Sequence, residues 1–340
     1  MEILLLHPGA LGDTILSLPA IVVLREAFPG ARLTLAGNLD HLAPVVGTYV
    51  ESVLSLSTLP LHNLFAAGAL PDSDARFWNS YDRIISWTGS GDAGFVRRMQ
   101  EIHPHACVAS WRPGPQEQRH VSQIFVDSLG QEIAAGKKAS PVPIRLDPGT
   151  LDEGSHWLSG QKRQPGEPLI ALHAGAGSEA KRWPLARFAG LARRLVVEER
   201  NQLLLIEGPA EPGLAAQVAQ SLPDGEAIRA ESLPLALLAA VMAQCCGFVG
   251  NDSGIAHLAA ALRIPSIVLF GPTLPRHWSP LGESVTVLRD PEGCAACSDA
   301  GEDCHTCLEN IEVERVLREL RAGRQILGPE TDKNERIYNR

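Results

Sequence analysis

Three segments of this chain place charged or hydroxyl side chains in a glycine-bearing turn directly after an apolar run. Asp13 and Thr14 follow Ile3 to Leu6 through Gly9-Ala-Leu-Gly12; Lys181 and Arg182 follow Leu169 to His173 through Gly175 and Gly177. Asn251-Asp252-Ser253-Gly254-Ile255-Ala-His257 follows Gly247 to Gly250 and opens an alanine-rich helical pattern. Glycine lets backbone approach a ligand closely, and a helix start exposes unpaired N–H groups and a dipole that favour an anion. Adjacent Lys181 and Arg182, ahead of Trp183-Pro184, add the cationic partners that a pyrophosphate needs. Plainer readings stand beside these: Asp13, Asp252 or Ser253 as helix N-caps, and a solvated charged loop around Lys181.

A fourth feature is Cys294-Ala-Ala-Cys297 followed by Cys304-His-Thr-Cys307. Two such knuckles let four thiolates close a tetrahedral site for a structural Zn or Fe. The gap is shorter than in a zinc ribbon, so paired disulfides and free thiols remain competing readings. Cys107, Cys245 and Cys246 sit in apolar runs, as buried free thiols do in a reducing compartment.

The elements that must position these residues alternate. Strand-like runs at Ile3 to Leu6, Arg32 to Ala36, Ser52 to Leu56, Arg83 to Ser86 and Ala106 to Ala109 are interleaved with helical patterns at Leu16 to Ala27 and Val121 to Leu129. After the polar stretch Ser159 to Pro168 a second series begins: strands Leu169 to His173, Gln202 to Glu207, Gly247 to Gly250 and Ser266 to Phe270, separated by helices Leu185 to Val197, Gly213 to Ser221, Pro234 to Gln244 and Ile255 to Ala261. This pattern predicts two parallel α/β domains, 1–160 and 161–322, with a tail 323–340, and a ligand cleft at the carboxyl ends of the sheets. The 340-residue length suits two domains. Thirty basic against 39 acidic residues, a formal charge of −9, argue against a nucleic-acid binder. Glu2 and the Pro8 to Asp13 interruption argue against a signal peptide, and the apolar stretch Leu233 to Val249 is too short to span a bilayer.

Taken together, Gly9-Ala-Leu-Gly12-Asp13, Lys181-Arg-Trp-Pro184, Asn251-Asp-Ser-Gly-Ile-Ala-His257-Leu-Ala-Ala-Ala and Phe270-Gly-Pro-Thr273, in this order, resemble the lipopolysaccharide heptosyltransferase family, glycosyltransferase family 9. The resemblance runs from Met1 to about Leu320 and implies a GT-B fold, two Rossmann-like domains facing each other across a cleft. It implies a cytoplasmic inverting enzyme that moves a sugar, heptose from ADP-heptose, to lipopolysaccharide or another cell-envelope glycan or glycolipid. Contact with the inner membrane would be peripheral and transient.

By the same resemblance, Asp13 matches the base that takes the acceptor's proton, with Gly12 and Thr14 in its turn. Lys181 matches the basic residue on the donor's phosphates, with Arg182 a weaker candidate, and Glu211 falls where a carboxylate meets the ribose hydroxyls. Asp252, Ser253, Gly254, Ile255 and His257 match the donor-binding turn. A lysine and a helix dipole on the leaving diphosphate imply that the transfer needs no divalent metal. The four cysteines would brace the carboxyl-terminal fold, and helix Val313 to Arg321 would pack across toward the first domain.

Departures from the family pattern are His7-Pro8 in place of an Arg after the first strand and Ser86-Trp87-Thr88-Gly89 in place of an Asp-Leu-Gln-Gly type segment. Both imply a changed acceptor pocket, and Arg119-His120 reads either as a contact to an acidic acceptor or, at least as well, as an exposed turn. Rival functions are a nucleotide-sugar epimerase of the same fold and a non-catalytic nucleotide-sugar-binding relative. A dinucleotide dehydrogenase is disfavoured because the first turn lacks Gly-x-Gly-x-x-Gly spacing.

Overall fold

The computed structural model describes residues 1–164, 166–290 and 306–326, and the chain divides into two compact units, the first Met1–Val142 and the second from Pro143 onward. Each unit is built on one parallel sheet, as the alternation of runs predicts.

The first unit contains β1 (Glu2–Leu6), α1 (Leu11–Ala27), β2 (Arg32–Gly37), β3 (Ser52–Ser55), β4 (Arg83–Ser86), α2 (Ala93–Ile102), β5 (Ala106–Val108) and α3 (Val121–Asp127). The strand order is β3-β2-β1-β4-β5, all pairs parallel, with Leu4 opposite Thr34 on one side and Ile84 on the other. Ile3 to Leu6 are fully buried, as a central parallel strand covered on both faces requires. α1 starts at Leu11, a turn earlier than its apolar pattern suggests. The Ala10 carbonyl accepts the Thr14 N–H at 2.9 Å, and Asp13 Oδ2 accepts the Ala10 N–H at 3.0 Å. Ala10 is therefore the N-cap, and Asp13 occupies the third helical position, reaching back to the cap.

The second unit contains α4 (Pro148–Ser159), β6 (Leu169–His173), α5 (Leu185–Val197), β7 (Gln202–Glu207), α6 (Leu214–Ala219), β8 (Ala227–Glu231), α7 (Leu235–Met242), β9 (Gly247–Asn251), α8 (Gly254–Ala261), β10 (Ser266–Leu269), β11 (Val285–Leu288) and α9 (Val313–Ile326). Its order is β11-β10-β9-β6-β7-β8, again all parallel. β8 and β11 are edge strands that the sequence pattern does not announce, and β8 carries Arg229 and Glu231 among its five residues.

The division falls earlier than the polar stretch Ser159 to Pro168. The reason is α4, which packs on α7: a side-chain carbon at Gly154 would lie 2.7 Å from the Ala240 backbone, so only glycine permits this approach. α9 runs through the expected boundary at Ala322 and on to Ile326, and its Val316, Leu317 and Leu320 are buried in the second unit's core with Phe188, Leu195 and Leu269. It packs on α5 and β10 of its own unit. Among the described residues no helix is long and apolar enough to cross a membrane.

Candidate active site

In an open parallel sheet, ligands bind where the strand order reverses, outside the carboxyl ends of the strands. In the second unit that reversal lies between β6 and β9. The turns leaving those two strands hold most of the charged and hydroxyl residues singled out in the sequence.

Lys181 Nζ donates to Asp252 Oδ2 at 3.1 Å, and Thr273 Oγ1 donates to the same oxygen at 2.6 Å. Asp252 is almost wholly buried and Lys181 about a quarter exposed. A buried carboxylate is thus paired by one cation and one hydroxyl, and the lysine keeps a face toward solvent. Thr273 belongs to the Phe270-Gly-Pro-Thr273 run, where the sequence assigns it no role.

Ser253 is the N-cap of α8. Its Oγ accepts the Ala256 N–H at 3.4 Å and lies 3.2 Å from His173 Nδ1, on the end of β6. Gly254 and Ile255 form the first turn of α8, and His257 is buried in the second. The N-cap reading of Ser253 therefore holds, and it leaves the start of an alanine-rich helix at the switch point.

Glu211 lies on the other side of His173. A side-chain carbon at Gly175 would come within 2.7 Å of Glu211 Oε1 and 2.9 Å of His173 Nε2, so the carboxylate and imidazole flank this glycine closely. Burial pushes the Glu211 carboxyl up, opposed by the nearby Arg182 charge. Glu207 accepts the N–H groups of Gly213 and Ala215 at 2.9 and 2.8 Å and so clamps the loop that carries Glu211.

The buried Asn251 joins these turns. Its Oδ1 accepts the Trp183 N–H at 2.9 Å, and its Nδ2 donates to the carbonyls of Ala174 and Gly175 at 2.9 and 3.2 Å. The Trp183 indole donates to the Ile311 carbonyl at 2.9 Å, fixing the loop just after Lys181 to the segment before α9. Asn251 and Trp183 thus position the charged residues. Asn251→Ala would leave an N–H and two carbonyls unpaired in the core, with an expected cost of about 1–3 kcal/mol for each group left unsatisfied. Urea unfolding at neutral pH measures it.

In the first unit the reversal lies between β1 and β4. Asp13 is half-buried on α1, beside the turn that leaves β1. Gly9 is required there, since a side-chain carbon would lie 2.4 Å from Asp13 Cβ. Thr14 is fully buried, and its Oγ1 donates to the Ala10 carbonyl at 3.1 Å, so it serves the turn itself.

Each of the two departures in this unit carries a core aromatic ring. His7 and Trp87 are buried together with Trp111 and Phe125, and the Trp87 indole donates to Ser128 Oγ at 2.8 Å. His7 and Trp87 thus support the Asp13 turn from the core, while Pro8, Thr88 and Gly89 keep surface exposed. Arg119 is held by Glu117 and Asp127 at 2.5 and 2.6 Å, and His120 Nδ1 accepts the Ser122 N–H at 3.2 Å. Arg119 is thus paired with a carboxylate in its own turn and with one at the end of α3, and His120 caps the start of α3. Of the four clustered cysteines, Cys294, Cys297 and Cys304 lie outside the described residues, while Cys307 is buried in the short helix Thr306–Glu309.

The two strand-end imidazoles carry a pH signature. Burial is the main cause that lowers the pKa of His173 to about 4, with Arg182 adding to it, and that of His7 to about 3, with His41 adding to it. Both folded values lie below the unfolded 6.5, so the unfolded chain binds the extra protons. Stability is whole above pH 6.5 and declines as pH falls toward 4. Each histidine is expected to cost on the order of 2 kcal/mol by pH 5. Urea unfolding at pH 7 and pH 5 checks this, and His7→Phe should remove about half of the loss.

The family model described as Glycosyltransferase family 9 (heptosyltransferase) matches residues 78–307. This chain belongs to that family. Lipopolysaccharide heptosyltransferase 2 of Salmonella typhimurium is 32% identical over 94% of this chain and 97% of its own. The structure of E. coli ADP-heptose lps heptosyltransferase II superposes with a TM-score of 0.75 at 21% identity, covering 96% of this chain and 99% of that one. The glycosyl transferase family 9 structure from Veillonella parvula gives 0.79 at 21% identity, over 96% and 97%. The fold is therefore the GT-B type with two Rossmann-like units, and the chain is a glycosyltransferase. Family membership favours transfer over the epimerase reading.

Proposed function

We propose that this glycosyltransferase moves heptose from ADP-heptose to a lipopolysaccharide or related cell-envelope glycan, with inversion at the anomeric carbon. The observation that carries this reading is the turn in which Lys181 pairs with Asp252 at the second unit's switch point, beside the N-terminus of α8. It offers a cation, a helix dipole and free backbone donors to a nucleoside diphosphate. Glu211 is suited to the ribose hydroxyls, and Asp252, Ser253, Gly254, Ile255 and His257 shape the turn around the donor.

In the proposed reaction Asp13 takes the proton of the acceptor hydroxyl as its oxygen attacks the anomeric carbon. The bond from that carbon to the diphosphate oxygen breaks, and ADP leaves with its charge met by Lys181, Arg182 and the α8 dipole. The residues present supply the charge needed at the leaving group. The enzyme works in the cytoplasm, touching the inner membrane face transiently to meet a glycolipid acceptor.

Incubating the protein with ADP-heptose and a heptose-deficient lipopolysaccharide core should release ADP and add one heptosyl unit to the core, read by mass spectrometry. Product formed only from UDP- or GDP-sugars would move the donor class, and a changed sugar without any acceptor would restore the epimerase.

Cys294, Cys297, Cys304 and Cys307 are proposed to hold one structural Zn or Fe. The donor set fits, four thiolates suiting a soft, tetrahedral ion, and buried Cys307 adjoins Leu308, which packs against Gly271. The ion would brace this end of the second unit. Elemental analysis is expected to find one metal per chain, lost together with thermal stability in Cys307→Ser. A metal-free protein with an unchanged unfolding midpoint in that variant removes the site.

A further inference from the structure

His7, at the end of β1, is fully buried, and neither ring nitrogen has a hydrogen-bond partner among the described residues. The ring stands edge-on to Trp87 and Phe125, with centroids 5.7 and 5.5 Å apart, and 6.0 Å from Trp111. Among the described residues it is held by ring contacts and by no side-chain hydrogen bond. A buried unpaired N–H costs about 1–3 kcal/mol, and a phenylalanine in the same cage would avoid that cost.

The position of one nitrogen accounts for the imidazole. A side-chain carbon at Gly9 would lie 2.7 Å from His7 Nε2, 2.4 Å from Asp13 Cβ and 2.9 Å from Asp13 Oδ2. Only the bare Cα of a glycine separates the ring from the carboxylate.

The second unit repeats the arrangement of imidazole, glycine and carboxylate at a strand end. His173 ends β6, Gly175 follows two residues later, and His173 Nε2 and Glu211 Oε1 flank that glycine at 2.9 and 2.7 Å from its would-be side chain. There Ser253 Oγ holds the imidazole through Nδ1 at 3.2 Å. His7 has no such tether among the described residues.

We propose that His7 is a positioning residue for Asp13: its Nε2–H receives the carboxylate when Asp13 leaves the Ala10 N–H to face the acceptor hydroxyl. This rests on the reading of Asp13 as the base. The titratable groups set against His7 are Asp13 from α1 and His41 from the short helix Leu39–Leu42, whereas Trp87, Trp111 and Phe125 contribute only rings. Burial keeps the imidazole neutral, so it donates a hydrogen bond without surrendering a proton. A donor on the charged carboxylate lowers its pKa, and loss of that donor raises it.

The test compares wild type, His7→Phe, His7→Gln and Asp13→Ala in transfer from ADP-heptose as a function of pH. His7→Phe is expected to fold with an equal or higher unfolding midpoint. Its kcat should fall about tenfold, the loss of one charge-assisted hydrogen bond. The donor KM should stay unchanged, and the acid limb of the kcat profile should move to higher pH. His7→Gln keeps an N–H donor of similar reach and should recover part of both effects. If His7→Phe does not fold, His7→Leu is read by the same criteria. An unmoved acid limb with unchanged kcat, or no recovery in His7→Gln, overturns the positioning role while an inactive Asp13→Ala leaves the base in place. An active Asp13→Ala overturns the base and this role with it.

Discussion

Asp13→Ala is expected to lower the rate of sugar transfer by about 10²–10⁴-fold, the usual contribution of a positioned general base. ADP binding should be unchanged in the same variant, because every donor-side residue named above belongs to the second unit. The expectation follows from where the carboxylate sits. Asp13 occupies the first turn of α1 at the switch point of the first sheet, half-exposed, with one oxygen held by the Ala10 N–H. That bond closes the first turn of α1 and lies within the turn itself. Asp13→Asn keeps the shape and part of the cap yet cannot take a proton, and it should be as slow as the alanine variant. Initial-rate assays of ADP release, with calorimetry on the same preparations, separate chemistry from binding. Turnover at the wild-type rate in either variant would remove the proposed mechanism.

Lys181→Ala is the second large effect. A charge-assisted hydrogen bond contributes about 1.5–3 kcal/mol, so the Kd for ADP should rise roughly 10–150-fold. The pair with Asp252 sharpens this expectation. With the lysine gone, a nearly buried carboxylate held only by Thr273 would face the incoming diphosphate, and like charges would repel. Asp252→Asn in the Lys181→Ala background should therefore recover part of the lost affinity, whereas two independent effects would simply add. Raising the salt concentration should weaken wild-type ADP binding and affect Lys181→Ala less.

Much of this site is legible in the sequence because its parts are local. A strand, a glycine turn and a helix start form one contiguous stretch, so Asp13, Lys181, Asp252 and Ser253 can be singled out without knowing what packs against them. Fold class is legible for a similar reason, since buried parallel strands read as apolar runs whatever their order. The residues that bind the turns to one another are less visible. Asn251 looks like an ordinary turn residue, and only the fold shows it bonding to loops some 70 positions away. Thr273 and Glu207 act the same way, each completing a neighbour that lies far off or in the following loop.

His7 and Trp87 point the other way. The sequence marks them only as departures from a pattern, and the fold shows them to be two members of one aromatic cluster beside the Asp13 turn. Side-chain direction at a strand's end is set by the sheet and its covering helices, which a linear pattern does not carry. The domain boundary shifted for a comparable reason. Ser159 to Pro168 has the composition of a linker, yet the contact of Gly154 with Ala240 fastens the helix before it to the second unit.

Donor recognition requires that the second unit hold an adenine nucleoside diphosphate through Lys181. Calorimetric titration of the protein with ADP, UDP, GDP and NAD, repeated on Lys181→Ala, tests that in one series. Selective ADP binding that weakens at least tenfold in the variant is the predicted result, the lower bound for one charge-assisted hydrogen bond. Equal binding of all four nucleotides, or ADP binding indifferent to Lys181, would contradict it.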